Sequence, residues 1–292
     1  MPKPYTESVQ YVLHSENITR LKLAGSYVRR LIEKRAALLA QDTEGVRDPD
    51  VSVVIRSRND GAYVQQLFAD LRAQKFNGKI EVIVVDTESR DDTVAYARSQ
   101  GATIIQLKQT EFTYPHALNL GFQAAKYPYV VTLVGHSSLS NRMMLKALTY
   151  WSQRENFGGM YSFPLPNSNS TFWDRLGANT WLAYLFKKPL VLQRSSPGML
   201  AANCSIVKRS VWEALGGYDE RYAGGGEDVA LARSMLAGGY LIVREPLCSV
   251  YHSHGLNLRD TFKQQWHWIQ IGQAKPQPFD TQKIHARRPD LR

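Results

Sequence analysis

Residues 80–93 read IEVIVVDTESRDDT, and the reading of this stretch decides the fold. Ile80 to Val85 is apolar apart from Glu81, which predicts a strand covered on both faces. Asp86 ends the run. The polar segment after it leads into a helix expected over about Asp92 to Gln100, with Asp91 or Asp92 available to cap its first turn. The same passage from apolar run to helix recurs on either side. Val51 to Ile55, Thr103 to Leu107 and Tyr129 to Val134 read as further strands, and Ala62 to Gln74 and Pro115 to Ala125 as helices. Apolar strands separated by helices imply βαβ units and a mainly parallel sheet flanked by helices, an α/β fold. In such sheets ligands bind outside the carboxyl ends of the strands, so the residues just after each strand are the first candidates for chemistry.

The second half of the chain is less regular. A stretch rich in Pro, Asn and aromatic residues runs over 162–194, followed by Met199 to Val207 and a helix near Arg209 to Leu215. A glycine run at 224–226 opens a helix over about Asp228 to Ala237. A strand pair, Leu241 to Arg244 with Cys248 to Tyr251, and an aromatic amphipathic segment around Phe262 to Ile271 complete the pattern. At the other end, residues 16–41 place Ile18, Leu21, Tyr27, Leu31 and Ile32 at helical spacing among Arg20, Lys22, Arg29, Arg30 and Lys34. This basic amphipathic helix is expected to pack on the main domain or on a partner subunit, with docking on a membrane surface as the alternative. The expected organisation is an N-terminal helical extension over 1–48, a catalytic domain over 49–256, and an amphipathic helix with a basic tail over 257–292.

Among 292 residues, 43% are hydrophobic and 21% charged, which gives ample material for a core and excludes a disordered or repeat chain. A net charge of +10 favours anionic partners such as nucleotide phosphates or lipid headgroups. The first residues lack the cationic stretch and apolar run of a signal peptide, and no window approaches a spanning helix. These features predict a cytoplasmic protein, with any membrane contact peripheral to the inner face. Cys204 and Cys248 form neither a metal motif nor a disulfide framework and read as small buried hydrophobes.

Several segments, in order, resemble the large bacterial family 2 of inverting glycosyltransferases. The run from Val84 to Thr93 is similar to the family's Val-Val-Asp-Asp-Gly-Ser-Thr-Asp-Gly-Thr segment, from which Thr87 and Glu88 depart. Val53 to Asp60 is similar to its first strand and nucleotide-facing loop, and Phe112 with Ala117 to Gly121 to its segment ending in Asn-x-Gly. Asn203 to Lys208, the turn Gly216 to Glu220 and the run Gly226 to Arg233 resemble its Asn-x-x-x-x-[Arg/Lys] strand, its Gly-Gly-[Phe/Tyr]-Asp-Glu turn and its Gly-Glu-Asp-x-x-Leu-x-x-Arg helix. The resemblance covers about Val51 to Gly255. It implies a GT-A type fold for nucleoside diphosphate sugar transfer.

By position, the resemblance makes Asp228 the general base and gives Asp86 the reading of the nucleotide base. Ser57, Asp60, Asn119, His136, Asn203 and Glu227 are the other substrate-binding candidates, with loop pinning as the alternative for Asn119. Where the family carries an Asp-x-Asp motif that holds a divalent cation, this chain has Gly135, His136 and Ser137. His136, together with His252 or His254 from the family's terminal His segment, is the candidate ligand set for Mn²⁺ or Mg²⁺. A cationic His136 facing the diphosphate is the alternative.

The implied partners are a nucleoside diphosphate sugar and an acceptor hydroxyl on a glycan, a lipid-linked or a natural-product molecule. The N-terminal helix is a possible homodimer element. A noncatalytic nucleotide-sugar binding or regulatory protein of the same fold is the second reading, motivated by the missing motif and opposed by the retained Glu227 and Asp228. A nucleic-acid-binding module would use the basic charge together with Trp266 and Trp268, but the chain carries no recognised binding motif of that class.

Overall fold

Strand β1 (Val51–Ser57) is buried along its whole length and forms the axis of the sheet. A computed structural model describes residues 22–166, 170–173, 189–194, 199–252 and 256–272. In it, β1 pairs in parallel with β2 (Ile80–Asp86) on one side and β4 (Tyr129–Val134) on the other, and β2 pairs in parallel with β3 (Thr103–Gln106). The four strands predicted from apolar runs are thus all present, joined by helices α2 (Gly61–Arg72), α3 (Thr93–Ser99) and α4 (Tyr114–Ala124). Beyond β4 the sheet continues through β8 (Cys204–Lys208), β6 (Phe157–Tyr161), β9 (Leu241–Arg244) and β7 (Leu190–Leu192). There β8 runs antiparallel to both its neighbours, whereas β6 and β9 are parallel.

Side chains on a strand alternate between faces, and here both faces are covered. Val51, Val53, Ile55 and Val84 belong to one core with Leu67 and Phe68 of α2 and Met144, Leu145 and Leu148 of α5 (Met144–Trp151). Val54, Ile83 and Val85 belong to a second core. It contains Leu118 and Phe122 of α4, Trp212 of α6 (Arg209–Ala214), and Leu231 and Met235 of α7 (Glu227–Ala237). The result is a sheet between two helical layers, which leaves its carboxyl edge open to a ligand.

The predicted pairing of Leu241 to Arg244 with Cys248 to Tyr251 is not what forms. β9 lies inside the large sheet, whereas β10 (Val250–Tyr251) pairs antiparallel with β5 (Ser138–Leu139) in a separate two-stranded sheet. Glu245 to Ser249 carries the chain from one sheet to the other, with the Cys248 amide donating to the Glu245 carbonyl at 2.8 Å.

The N-terminal helix α1 (Lys22–Asp42) packs on the main domain, the first of the two expected placements. Leu39 is fully buried, and Ile32 and Ala36 lie against the same core. Arg35 pairs at 3.0 Å with the wholly buried carboxylate of Glu245, which also accepts from the Trp151 indole at 2.8 Å. Asp48 then anchors the entrance to β1, accepting from Lys146 at 2.8 Å, Thr149 at 2.6 Å and the Asn77 amide at 2.8 Å. Cys204 and Cys248 are buried free thiols 3.7 Å apart. Helix α8 (Leu258–Gly272) occupies the predicted aromatic amphipathic segment.

Candidate active site

The carboxyl ends of β1, β2 and β4 lie side by side, since Ser57 is in register with Asp86 and Arg56 with Val134. Asp86 is fully buried there and its carboxylate accepts from the Ser89 amide at 3.0 Å and from the Ser89 hydroxyl. The loops after β1 and β2 are laced together. Asn59 donates through its amide to Ser89 Oγ, and the Arg90 amide donates to Asn59 Oδ1, each at 2.8 Å. Asp91, not Asp92, supplies the hydrogen-bonding caps. It accepts from the Thr93 amide at 3.1 Å and the Gly61 amide at 3.0 Å. Burial works against ionisation of Asp91, but the bonds from Thr93 and Gly61 outweigh it and hold its carboxyl below the usual range. Glu88, which stands where the resembled segment has glycine, adopts a left-handed φ of 51°.

On the β1 side, Ser57 Oγ donates to Asp60 Oδ2 at 2.9 Å, and the other oxygen of Asp60 lies 3.3 Å from His136 Nδ1. Gly135 makes this approach possible, because a Cβ there would meet Asp60 Oδ2 at 2.3 Å and Ser57 Oγ at 2.5 Å. His136 follows β4, and the small β5–β10 sheet delivers His252 beside it. The two Nε2 atoms are 3.1 Å apart and the rings are tilted by 31°. His252 is fixed from behind by its amide, which donates to the Leu165 carbonyl at 2.9 Å. His254 lies outside the described residues.

These contacts answer whether a cation fits. Two imidazole nitrogens about 3 Å apart have the separation of neighbouring ligands on one ion bound at roughly 2.0–2.1 Å, and a carboxylate on the remote nitrogen is the usual support for a metal-binding imidazole. The pair therefore fits a cation. Among the described residues no group of three or more His, Cys, Asp or Glu surrounds such a point, so the remaining ligands would come from the substrate or solvent.

Glu227 and Asp228 open α7 behind Gly226, whose φ of 99° only glycine adopts readily. The helix start favours ionised carboxylates. Burial nevertheless pushes Asp228 up to about 6, opposed by the amides of Val229 and Asp228 and by the charge of Arg56. Arg56, buried near the end of β1, connects this helix to the strand ends. Its guanidinium stacks 4.9 Å from the ring centre of Tyr114 and lies in the field of Glu227 and Asp228, which support its charge against burial. Burial, Glu227 and Asp228 together push the Tyr218 phenol up. Among the described residues Arg56 Nε, the Tyr218 hydroxyl and Asn203 Oδ1 are buried polar atoms without a hydrogen-bond partner. Such atoms are what a polar ligand would satisfy. Asn203 directly precedes β8, whose first residue pairs with Leu133, so it too lies at the carboxyl end of β4.

Asn119 is spent on the turn at 217–220. Its amide nitrogen donates to the Tyr218 carbonyl at 2.9 Å and to Glu220 at 3.0 Å, and its oxygen accepts from the Tyr218 amide at 2.9 Å. The structure thus gathers Ser57, Asp60, Asp86, His136, Asn203 and His252 along one edge, sets Glu227 and Asp228 at a helix start within the field of Arg56, and sets Asn119 beneath a supporting turn. Arg56 and Tyr114 were not among the candidates read from sequence, and Tyr218 entered only as part of the Gly216 to Glu220 turn. The available signal was Arg56 itself, a charge directly after the apolar run Val53 to Ile55.

The family described as Glycosyl transferase family 2 matches residues 52–216. The O-antigen chain rhamnosyltransferase WbaN of Salmonella anatum is 24% identical over 246 residues, 82% of this chain and 74% of that protein. An N-acetylglucosaminyl-diphospho-decaprenol L-rhamnosyltransferase of Mycobacterium tuberculosis is 34% identical over 95 residues, 32% of this chain and 28% of the relative. Among solved structures, the mannosyltransferase PcManGT from Pyrobaculum calidifontis, in complex with GDP-Man and Mn²⁺, superposes with a TM-score of 0.55 at 18% identity, covering 92% of this chain and 81% of that one.

Proposed function

Because this chain belongs to glycosyl transferase family 2 and has the GT-A fold, we propose that it transfers a glycosyl group with inversion, using Asp228 as the general base. The coarser activity, transfer from a nucleotide sugar to an acceptor, follows from the family. The observation that carries the finer reading is the position of Asp228, at a helix start coupled through Arg56 to the strand ends, with its carboxyl pushed up to about 6. A carboxylate of that basicity is ionised at neutral pH and accepts a proton more readily than an ordinary one.

In this reading Asp228 removes the acceptor hydroxyl's proton as its oxygen bonds to the anomeric carbon. The bond from that carbon to the diphosphate oxygen breaks, and the nucleoside diphosphate leaves with the electron pair. A single displacement inverts the anomeric centre. Asp86 holds the nucleotide, and Asn203 and the Tyr218 hydroxyl supply polar groups that a bound substrate would pair. Arg56 sustains the ionised state of Asp228. His136 and His252 would hold a divalent cation, with Asp60 orienting His136, and such an ion would neutralise charge on the diphosphate. Nitrogen ligands suit Mn²⁺ better than Mg²⁺, which prefers oxygen throughout. The names of the rhamnosyltransferase relatives support a rhamnosyl-type donor and a glycan or lipid-linked glycan acceptor.

Calorimetric titration with UDP, GDP and dTDP, each with Mn²⁺, with Mg²⁺ and with EDTA, tests this reading. Binding of one nucleotide that strengthens with Mn²⁺ supports it. Equal binding in EDTA removes the cation from the account, and the failure of every nucleotide to bind overturns the donor site.

A further inference from the structure

Leu258, Phe262 and Trp266 of α8 are 54%, 70% and 56% exposed. At about 100° per residue they fall within roughly 80° of the helix circumference, a continuous apolar stripe. Arg259 and Lys263, both exposed, sit one position after Leu258 and Phe262 and so border the stripe along one edge. Thr261, on the opposite side of Leu258, is buried and marks the face that rests on the domain. A second part of the chain exposes apolar rings as well. Phe172 and Trp173 are 68% and 39% exposed and stack edge to face, 5.0 Å between ring centres. Their segment is tied to the start of α8 by the Thr171 hydroxyl, which donates to the Leu256 carbonyl.

Three large apolar side chains in one exposed stripe edged by cations, with two more exposed rings on the segment hydrogen-bonded to the start of α8, are more than the scattered hydrophobics of an ordinary protein surface. We propose that this surface docks the protein on an anionic lipid bilayer, with Phe262 and Trp266 inserted at the headgroup level and Arg259 and Lys263 on the phosphates. The Trp266 ring, with its indole N–H, prefers that depth, and a helix with an apolar stripe flanked by cations lies in the plane of the interface. Charge argues for a bilayer over a second copy. Residues 257–292 carry seven Lys and Arg against three Asp, and the chain as a whole carries +10, so two copies repel where an anionic membrane attracts. No helix of the described residues is long and apolar enough to cross a membrane, so the contact is peripheral.

The docking has a consequence that rests on the transferase reading. α8 begins six residues after His252, so the bilayer would lie next to the candidate site, where a lipid-linked acceptor presents its hydroxyl. The docking itself needs no substrate. The test is sedimentation of the full-length protein with vesicles of phosphatidylcholine, with and without phosphatidylglycerol, at low and high salt. The wild type is expected to bind the anionic vesicles, less so in salt. Phe262→Ser combined with Trp266→Ser is expected to lower partitioning by about tenfold or more with an unchanged circular dichroism spectrum and unchanged turnover of a water-soluble acceptor. Arg259→Gln with Lys263→Gln, which spares the apolar stripe, is expected to remove much of the salt-sensitive part. Absence of binding to anionic vesicles, or binding by both variants equal to that of the wild type, overturns the proposal. So does a wild-type dimer that the Phe262 and Trp266 changes dissociate, which would make the stripe a subunit interface. Because the vesicles contain neither donor nor acceptor, failure here leaves the transferase reading standing, and loss of nucleotide binding leaves the docking standing.

Discussion

His136 and His252, separated by 116 positions in sequence, bring their Nε2 atoms to 3.1 Å of each other. Each histidine reaches this point on a different element. His136 follows a central parallel strand, and His252 follows a two-residue strand of the small second sheet. His136 stands where the resembled family carries its Asp-x-Asp motif and His252 in its terminal His segment, so the pair predicts an altered metal preference. Titration of the wild type with Mn²⁺ in the presence of nucleotide, followed by electron paramagnetic resonance, is expected to show one site. His252→Ala should weaken that site about 10- to 100-fold, and Asp60→Asn, through loss of the support on His136, by a similar or smaller factor. Unchanged Mn²⁺ affinity in both variants would return the histidines to a role in packing.

Asp228 sets the expected pH dependence. Its carboxyl titrates near 6, raised by burial above the ordinary value of 3.8. The base is therefore lost as pH falls through about 6, and kcat/KM is expected to fall about tenfold per pH unit below it. Arg56 holds that value down, so Arg56→Gln should move the acid limb of the pH–rate profile upward while reducing turnover at neutral pH. A limb that stays in place would detach Arg56 from Asp228.

Donor binding separates two readings of Asp86. Its carboxylate already holds Ser89, as a turn-forming aspartate would. If it also holds the nucleotide, Asp86→Ala weakens donor affinity by about tenfold or more at modest cost to stability, since a charged hydrogen bond contributes about 1.5–3 kcal/mol. A lowered Tm with unaltered donor affinity would leave it only the turn.

The attachment of α1 depends on Arg35 and Glu245. Replacing Arg35 by Met strands a buried carboxylate, which costs about 3 kcal/mol or more. Thermal unfolding should then shift down by roughly 6–12 °C. No shift would mean that the Arg35–Glu245 pair does not hold α1 in place.

The parallel half of the fold was legible because β1 and β4 are buried nearly throughout and so read as mainly apolar runs with no polar face. Other elements were not. α5 is only eight residues long, about two turns, too short for a helical period to stand out in the sequence. β6 contains Gly158 and Gly159, which weaken local strand preference, and forms because β8 and β9 flank it. The separation of β9 from β10 depends on which sheet each can join, a long-range choice absent from local pattern. At the site, position after a strand marked Asp86 and His136 as candidates, and the resemblance carried by Gly226 to Arg233 marked Asp228. The spending of Asn119 on the turn at Tyr218, and the coupling of Arg56 to α7, required the tertiary contacts.

The central claim is that Asp228 acts as the base in a displacement from a nucleotide sugar. Its most direct test compares wild type and Asp228→Asn in single-turnover transfer, with donor binding measured on the same samples. The account predicts nearly equal donor affinity and a rate reduced by about a thousandfold or more. Transfer at the wild-type rate would contradict it and remove Asp228 from the chemistry.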